Sequence, residues 1–341
     1  MYERCLLSDK GIKKAVEEGK IEISPPVKDE QIQPGTLDIF FKKFDDWESI
    51  ISDIPVGDTN EYLLGSQVSG CAMATQSVIL DEHIGANIEL RSTLRRIGLE
   101  YDSELFIWGK NYEACVDVRN PTRYGIRIPK GFKFAQIFFY PELKYHPELD
   151  CGFEVNKEEV IEELQRKGLF KIEPKLDIKD GYIVVHASEK ARKFNPPDII
   201  DVGDKNLKRY FEEINITKGA ELNPGDHIDF ETVEKIDLSK HIGIRFYRNL
   251  PIPTVMENLH KKEEHDTHHF IDFFKSLGAD AGWVDPGYCG YFSVQPKKYL
   301  TREIIKPGDI LAFGQLVYFP DGVERPYGSK GLNSHFQNRM P

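Results

Sequence analysis

In residues 9–19 the apolar side chains Ile12, Ala15 and Val16 recur between charged neighbours, the spacing of one buried helical face, and Gly19 stops the pattern. Ser8 or Asp9 offers the N-cap oxygen. Beyond this point the period changes. From Ile32 to Pro141 the chain reads TLDIFF, QSVIL, NIEL, ELFIWG, CVDV, GIRIP and FKFAQIFFYP, short runs of β-branched and aromatic residues broken by turn residues. GYIVVHA, HIDFETV, IGIRFY, GYFSVQ and ILAFGQLVYF continue the same pattern in the second half. Short strands at intervals of about ten residues predict a mainly β barrel or sandwich with a small helical appendage.

The pattern also repeats itself. KGIKKAVEEGKIEISP (10–25) returns as EEVIEELQRKGLFKIEP (158–174), with Gly19 matching Gly168 and Pro25 matching Pro174. SVILDEHIG (77–85) returns as KIDLSKHIG (235–243), and PKGFKFAQIFFYPE (129–142) as KPGDILAFGQLVYFPD (306–321). An interval of half the chain predicts two copies of one domain, since solenoid repeats run at roughly 20–50 residues. The expected domains are 1–150 and 151–341, divided within the charged, aperiodic stretch 142–155. Segment 251–280 reads as an insertion that the first copy lacks.

At 341 residues each half can bury a core without a disulfide or a metal. The five cysteines are scattered, with no CxxC, which suits a reducing cytoplasm. No apolar stretch has the length of a signal sequence or a membrane span. A soluble cytoplasmic protein is expected. The net charge of −11 argues against a nucleic-acid polymer as partner, because backbone binding draws on clustered Lys and Arg. Any anion site must be local.

Two segments carry chemistry. Arg91, Arg95 and Arg96 stand beside Ser92 and Thr93 in RSTLRRIGL, a concentration of fork-shaped donors that matches phosphate oxygens. A basic strand end paired with surface carboxylates explains the same residues. The segment AGWVDPGYCG (281–290) holds a tight turn in which glycines admit backbone groups close to a flat ligand and Asp285 can contact a hydroxyl or orient water. A plain β-turn closed by an aspartate is its bland reading.

These segments resemble the dCTP deaminase/dUTPase superfamily. RSTLRRIGL is similar to its phosphate motif and VDPGYCG to its base-binding hairpin. LSDKGIKKAVEEGKIEISP with IQPGTLDIFF resembles the opening of dCTP deaminases, and RPYGSKGLNSHFQ (325–337) their C-terminal lid. The duplicated layout looks most like the long, two-domain bacterial deaminases. The resemblance implies tandem dUTPase-like β-barrels and hydrolytic deamination of dCTP to dUTP, with Mg²⁺ carried on the triphosphate. Arg91, Ser92 and Arg96 would then handle the triphosphate and the reacting face of the base, with Arg95 beside them, and Asp285, Gly287 and Tyr288 would cradle sugar and pyrimidine. Gln136 and Gln315 stand at the AQL/GQL glutamine, a phosphate contact, and Tyr327 and Lys330 belong to the closing tail. The resemblance also implies a homo-oligomer, a trimer or a dimer, because the family builds its sites across subunits.

The two copies have kept different parts. The first has FIWGKNYEACVDV in place of the hairpin; the second keeps Arg248 but has Asn249 for the serine. One composite site per chain is expected, within a chain or between chains. The family's glutamate, ten residues beyond the hairpin aspartate, falls on Gln295 here. An amide cannot take a proton from water. Asp117 in CVDV is the expected substitute, with Glu303 as the alternative. Zinc deaminase chemistry is set aside because no Pro-Cys-x-x-Cys is present. A dUTP pyrophosphatase or bifunctional enzyme, and a non-catalytic nucleotide-binding protein, are the competing functions. His260, His265, His268 and His269 in the insertion read as a solvated segment and no metal site is assigned. His83 and His241 read as a recurring strand-entry contact, and Trp47, Trp108 and Trp283 as packing groups.

Overall fold

The computed structural model describes residues 5–45, 61–102, 105–106, 111–204, 206–223, 226–247, 282–295, 303–330 and 332. The hydroxyl of Ser8 caps helix α1 (Asp9–Glu17) by accepting from the Gly11 N–H. The one-turn α2 (Ser92–Arg96) and then α3 (Glu158–Arg166) follow in the chain. After α1 and α3 the chain reverses at Gly19 (φ 71°) and Gly168 (φ 72°), a left-handed conformation that glycine adopts without steric cost. Each then enters a strand, Ile21–Ser24 or Phe170–Glu173, that ends on a cis X-Pro bond.

The duplication extends to the strand pairing, all of it antiparallel. In the first half Val68–Leu80 pairs with Ile21–Ser24, Thr36–Asp45 and Asn111–Asn120, and Lys133–Pro141 joins Thr36–Asp45 to Ile84–Leu90. In the second, Ile228–Leu238 pairs with Phe170–Glu173, Tyr182–Phe194 and Cys289–Val294, and Ile310–Tyr318 joins Tyr182–Phe194 to Ile242–Tyr247. One barrel-like sheet is therefore built twice. The strand entry recurs as well: the His83 carbonyl accepts from Glu142 N at 2.9 Å and the His241 carbonyl from Phe319 N at 2.8 Å.

Each half has its own apolar core, around Ile12, Leu37, Phe41 and Phe134 in one and Ile161, Phe230, Phe246 and Leu316 in the other. The halves also exchange elements. Cys5–Leu7 pairs with Cys151–Val155, a strand within the stretch expected to be a linker. Ile199–Asp201 lies parallel to Gly125–Pro129, and Phe194, Ile200 and Val202 enter the first core. A smaller cluster of Leu6, Phe138, Val317, Phe319 and Val323, with Trp283 against it, fills the seam between the halves. Burying each large side chain there stabilises by about 1.5–3 kcal/mol. Trp283 is thus a packing group, as its sequence context suggests, while Trp47, Trp108 and the insertion 251–280 lie outside the described residues.

Candidate active site

The seam brings charged residues of both halves together. Thr36–Asp45, Lys133–Pro141 and Ile84–Leu90 are adjacent strands, and Asp38, Gln136 and Glu89 stand directly opposite one another across them, on one face. Asp38 and Glu89 are buried, and each meets cations. Asp38 pairs with Arg91 and, at 3.2 Å, with Lys133. Glu89 accepts from Arg245 Nη2 at 2.6 Å, with Arg95 Nη1 4.0 Å away. Burial works against the Arg245 charge, but Tyr140 and Glu89 override it and hold the guanidinium protonated.

Arg91 is the N-cap of α2, and the helix stops at Gly98, whose φ of 93° ends the turn. This one turn sends Ser92 outward to solvent while Leu94 and Arg95 point inward. Arg91 and Asp285 belong to different halves, yet the Arg91 guanidinium pulls on the Asp285 carboxyl. Desolvation outweighs that pull and the Trp283 Nε1 hydrogen bond at 2.8 Å, and pushes Asp285 up to about 6. A second tie across the seam runs from Gln295 Nε2 to the Arg96 carbonyl at 2.8 Å. Burial pulls the Arg96 guanidinium down; Asp229 opposes this, Arg192 adds to it, and Tyr288 opposes it again. Asp229 is itself bound by Arg192 Nη2 at 2.8 Å.

The expected hairpin is instead a turn, 285–288, between strands that pair with different partners, Gly282–Val284 with Ile242–Tyr247 and Cys289–Val294 with Ile228–Leu238, and the tail of the same chain closes over it. Gly287 has φ 88°, and a Cβ there would lie 2.6 Å from Pro326 Cβ. Tyr327 N donates to Pro286 O at 2.7 Å, and the Tyr327 ring packs edge-on against Tyr288 at 5.7 Å. Tyr288 is buried and donates its hydroxyl to Tyr291 O at 2.6 Å. The tail is anchored on α1: Asp9 accepts from Glu324 N at 2.9 Å and Arg325 N at 2.8 Å. Lys330 is exposed.

Most of the residues singled out from sequence therefore gather at the seam: Arg91, Ser92, Arg95 and Arg96 with Gln136 from one half, Asp285, Gly287, Tyr288 and Tyr327 from the other. Two do not. Asp117 points to solvent from the outer face of Asn111–Asn120, opposite Cys71 and Asp102, with no hydrogen bond or ion pair to any described residue. It occupies in the first sheet the register position that Gln295 has in the second, so the duplication that suggested it also carries it to the other barrel. Gln315 is buried opposite Arg245 and donates its amide to Val155 O at 2.6 Å, which spends it on the fold. The side chain of Glu303, and Arg248 with Asn249, lie outside the described residues. Sequence reasoning missed Asp38, Glu89, Arg245, Asp229 and Glu231, although buried carboxylates at alternate positions of TLDIFF, NIEL and HIDFETV mark strands with one polar face inward.

No family model matches the chain. In sequence it is 27% identical over 154 residues to "dCTP deaminase, dUMP-forming" of Methanosphaera stadtmanae, a match covering 40% of this chain and 78% of that protein. To the protein of the same name from Bifidobacterium longum it is 36% identical over 62 residues, 17% of this chain and 31% of the relative. In three dimensions it matches the 2'-deoxycytidine 5'-triphosphate deaminase from Agrobacterium tumefaciens with a TM-score of 0.69 at 13% identity, over 94% of this chain and 100% of that one. The chain has a mainly β, duplicated dUTPase-like fold. In both sequence and fold the chain is thus similar to proteins named dCTP deaminase.

Proposed function

We propose that the chain is a zinc-independent hydrolase that deaminates dCTP, at one composite site made from the phosphate motif of residues 1–150 and the turn and tail of residues 151–341. The observation that carries this reading is the juxtaposition of Arg91 with Asp285 and of Arg96 with Gln295 across the seam. The named relatives support the substrate. Arg91 and Arg96 bind phosphate oxygens and polarise the base, with Arg95 held beneath them by Glu89. Ser92, exposed beside them, positions water or the base; Asp285 and Gly287 fix the sugar, and Tyr288 and Tyr327 flank the pyrimidine. Gln136, whose amide bonds no described side chain, is the phosphate contact, and Lys330 closes with the tail.

Among the described residues no group of three or more His, Cys, Asp and Glu can hold a metal ion, and Asp38 and Glu89 already face cations. The donor set fits Mg²⁺ brought in on the triphosphate, where it supplies charge neutralisation. A cytoplasmic homo-oligomer with a nucleotide as its ligand completes the reading. Among the described residues no helix is long and apolar enough to cross a membrane.

A second reading is favoured by the names of the relatives in Methanosphaera and Bifidobacterium, which specify dUMP as product. The same arginines and Asp285 could also direct water to the triphosphate, giving a bifunctional enzyme. Incubation with Mg²⁺ and dCTP or dUTP, with products resolved by ion exchange, separates the cases. Conversion of dCTP to dUTP that Ser92→Ala abolishes supports the deaminase; dUMP from dCTP supports the bifunctional enzyme. Turnover of neither nucleotide would sink both and favour a binding protein.

A further inference from the structure

The deaminase reading leaves a gap, because it needs a group that takes a proton from water, and neither Gln295 nor the exposed Asp117 supplies it. Ile228–Leu238 pairs with Cys289–Val294 so that Phe230 faces Val294 and Glu231 faces Ser293. Asp229 then lies beside Gln295, and Glu231 projects from the same face, about 6.6 Å further along the strand. Cross-strand diagonals of this kind lie within reach of long side chains. Glu231 is 9% exposed, accepts no hydrogen bond from any described residue, and acts on the Tyr288 hydroxyl, which in turn acts on Arg96.

Resting on the deaminase reading, we propose that Glu231 is the catalytic carboxylate of this chain, a replacement supplied from the neighbouring strand for the acid missing at Gln295. Its competitor on the same face is Asp229. That residue is 2% exposed and its Oδ2 is already engaged by Arg192 at 2.8 Å. Glu231 has the longer side chain, and it is the residue of this face that borders an open cavity of about 430 Å³, lined also by Lys190, Thr232 and Tyr291. Burial raises the Glu231 carboxyl above the usual glutamate range; Arg192 and Lys190 draw it down, and Asp229 and Glu213 push it up. A carboxylate raised by burial holds a proton more readily than a free one, which suits proton transfer.

The step balances. The water oxygen bonds to C4 of cytosine while Glu231 takes its proton and delivers it to N3. The remaining hydroxyl proton passes through Glu231 to the C4 amino group. The C4–N bond then breaks with its electron pair on nitrogen, ammonia departs, and C4 keeps the oxygen as a carbonyl. The sum is dCTP and water to dUTP and ammonia.

The test uses the full chain with dCTP and Mg²⁺, following ammonia release for wild type, Glu231→Gln and the double variant Glu231→Gln/Gln295→Glu, with dCTP binding measured by calorimetry. We expect Glu231→Gln to lower kcat by about 10²–10⁴-fold with dCTP binding changed less than about threefold, and the double variant to recover much of the loss. Full kcat in Glu231→Gln overturns the proposal and leaves the deaminase reading intact. Loss of binding together with kcat, without recovery in the double variant, shows a structural role and also overturns it. Absence of ammonia release from wild type overturns both.

Discussion

Asp285 is where burial and ionisation conflict most openly at the seam, its carboxyl raised to about 6 from the value near 4 of an unfolded chain. The folded chain binds this proton more tightly than the unfolded one. Its contribution to stability is therefore complete below about pH 4 and is lost as pH rises through 6, on the order of 2 kcal/mol. Urea midpoints taken from pH 4 to 7 should fall in wild type and flatten in Asp285→Asn; parallel curves would contradict the assignment. Glu89 sits in the opposite situation, a buried carboxylate shared by Arg245 and Arg95. Its removal leaves buried cations uncompensated. We expect Glu89→Ala to cost about 3–5 kcal/mol by chemical denaturation, and Glu89→Gln less, because an amide oxygen still accepts from Arg245.

Among the elements, the tail 324–330 and the turn 285–288 hold each other in place. Gly287 permits this because it lacks a Cβ where Pro326 packs and because its φ of 88° suits glycine. Gly287→Ala should cost about 1–3 kcal/mol and loosen the tail. Limited proteolysis would register it as faster cleavage within 324–330, and an unchanged cleavage rate would mean that the tail does not depend on the turn. The helix starts and glycine stops of this chain were readable locally, from Ser8, Gly19 and Gly168, because a cap and a left-handed turn are fixed by their own residues. The short helix in RSTLRR was not, since its apolar content is a single Leu94 and the seam holds its arginines.

For the molecule as a whole, the seam is built inside one chain, with Arg91, Arg96 and Glu89 meeting Asp285, Gln295 and Arg245. Arg96→Ala chains mixed with Asp285→Ala chains should therefore show no more dCTP turnover than either alone. Recovery on mixing would mean that the working site pairs motifs from different chains. Duplication explains why such a seam can form. Two barrels with the same pairing can each keep a different part and, on the proposed reading, supply one site between them.

The strands along the chain, the repeat and the turn at 285–288 were legible in the sequence, because hydrophobic period, turn chemistry and motif spacing are local properties. Register and burial were not. Asp117 and Gln295 are equivalent along the chain, but the fold exposes one on the outer face of its barrel and buries the other against Arg96. Gln136 and Gln315 occupy matching motif positions, yet only Gln315 is spent on a backbone carbonyl. Glu231, four residues before the repeated KIDL segment, carries no motif at all. Which carboxylates lose their water, and which cations then stand beside them, follows from the packing of one barrel against the other, and only the tertiary structure decides it.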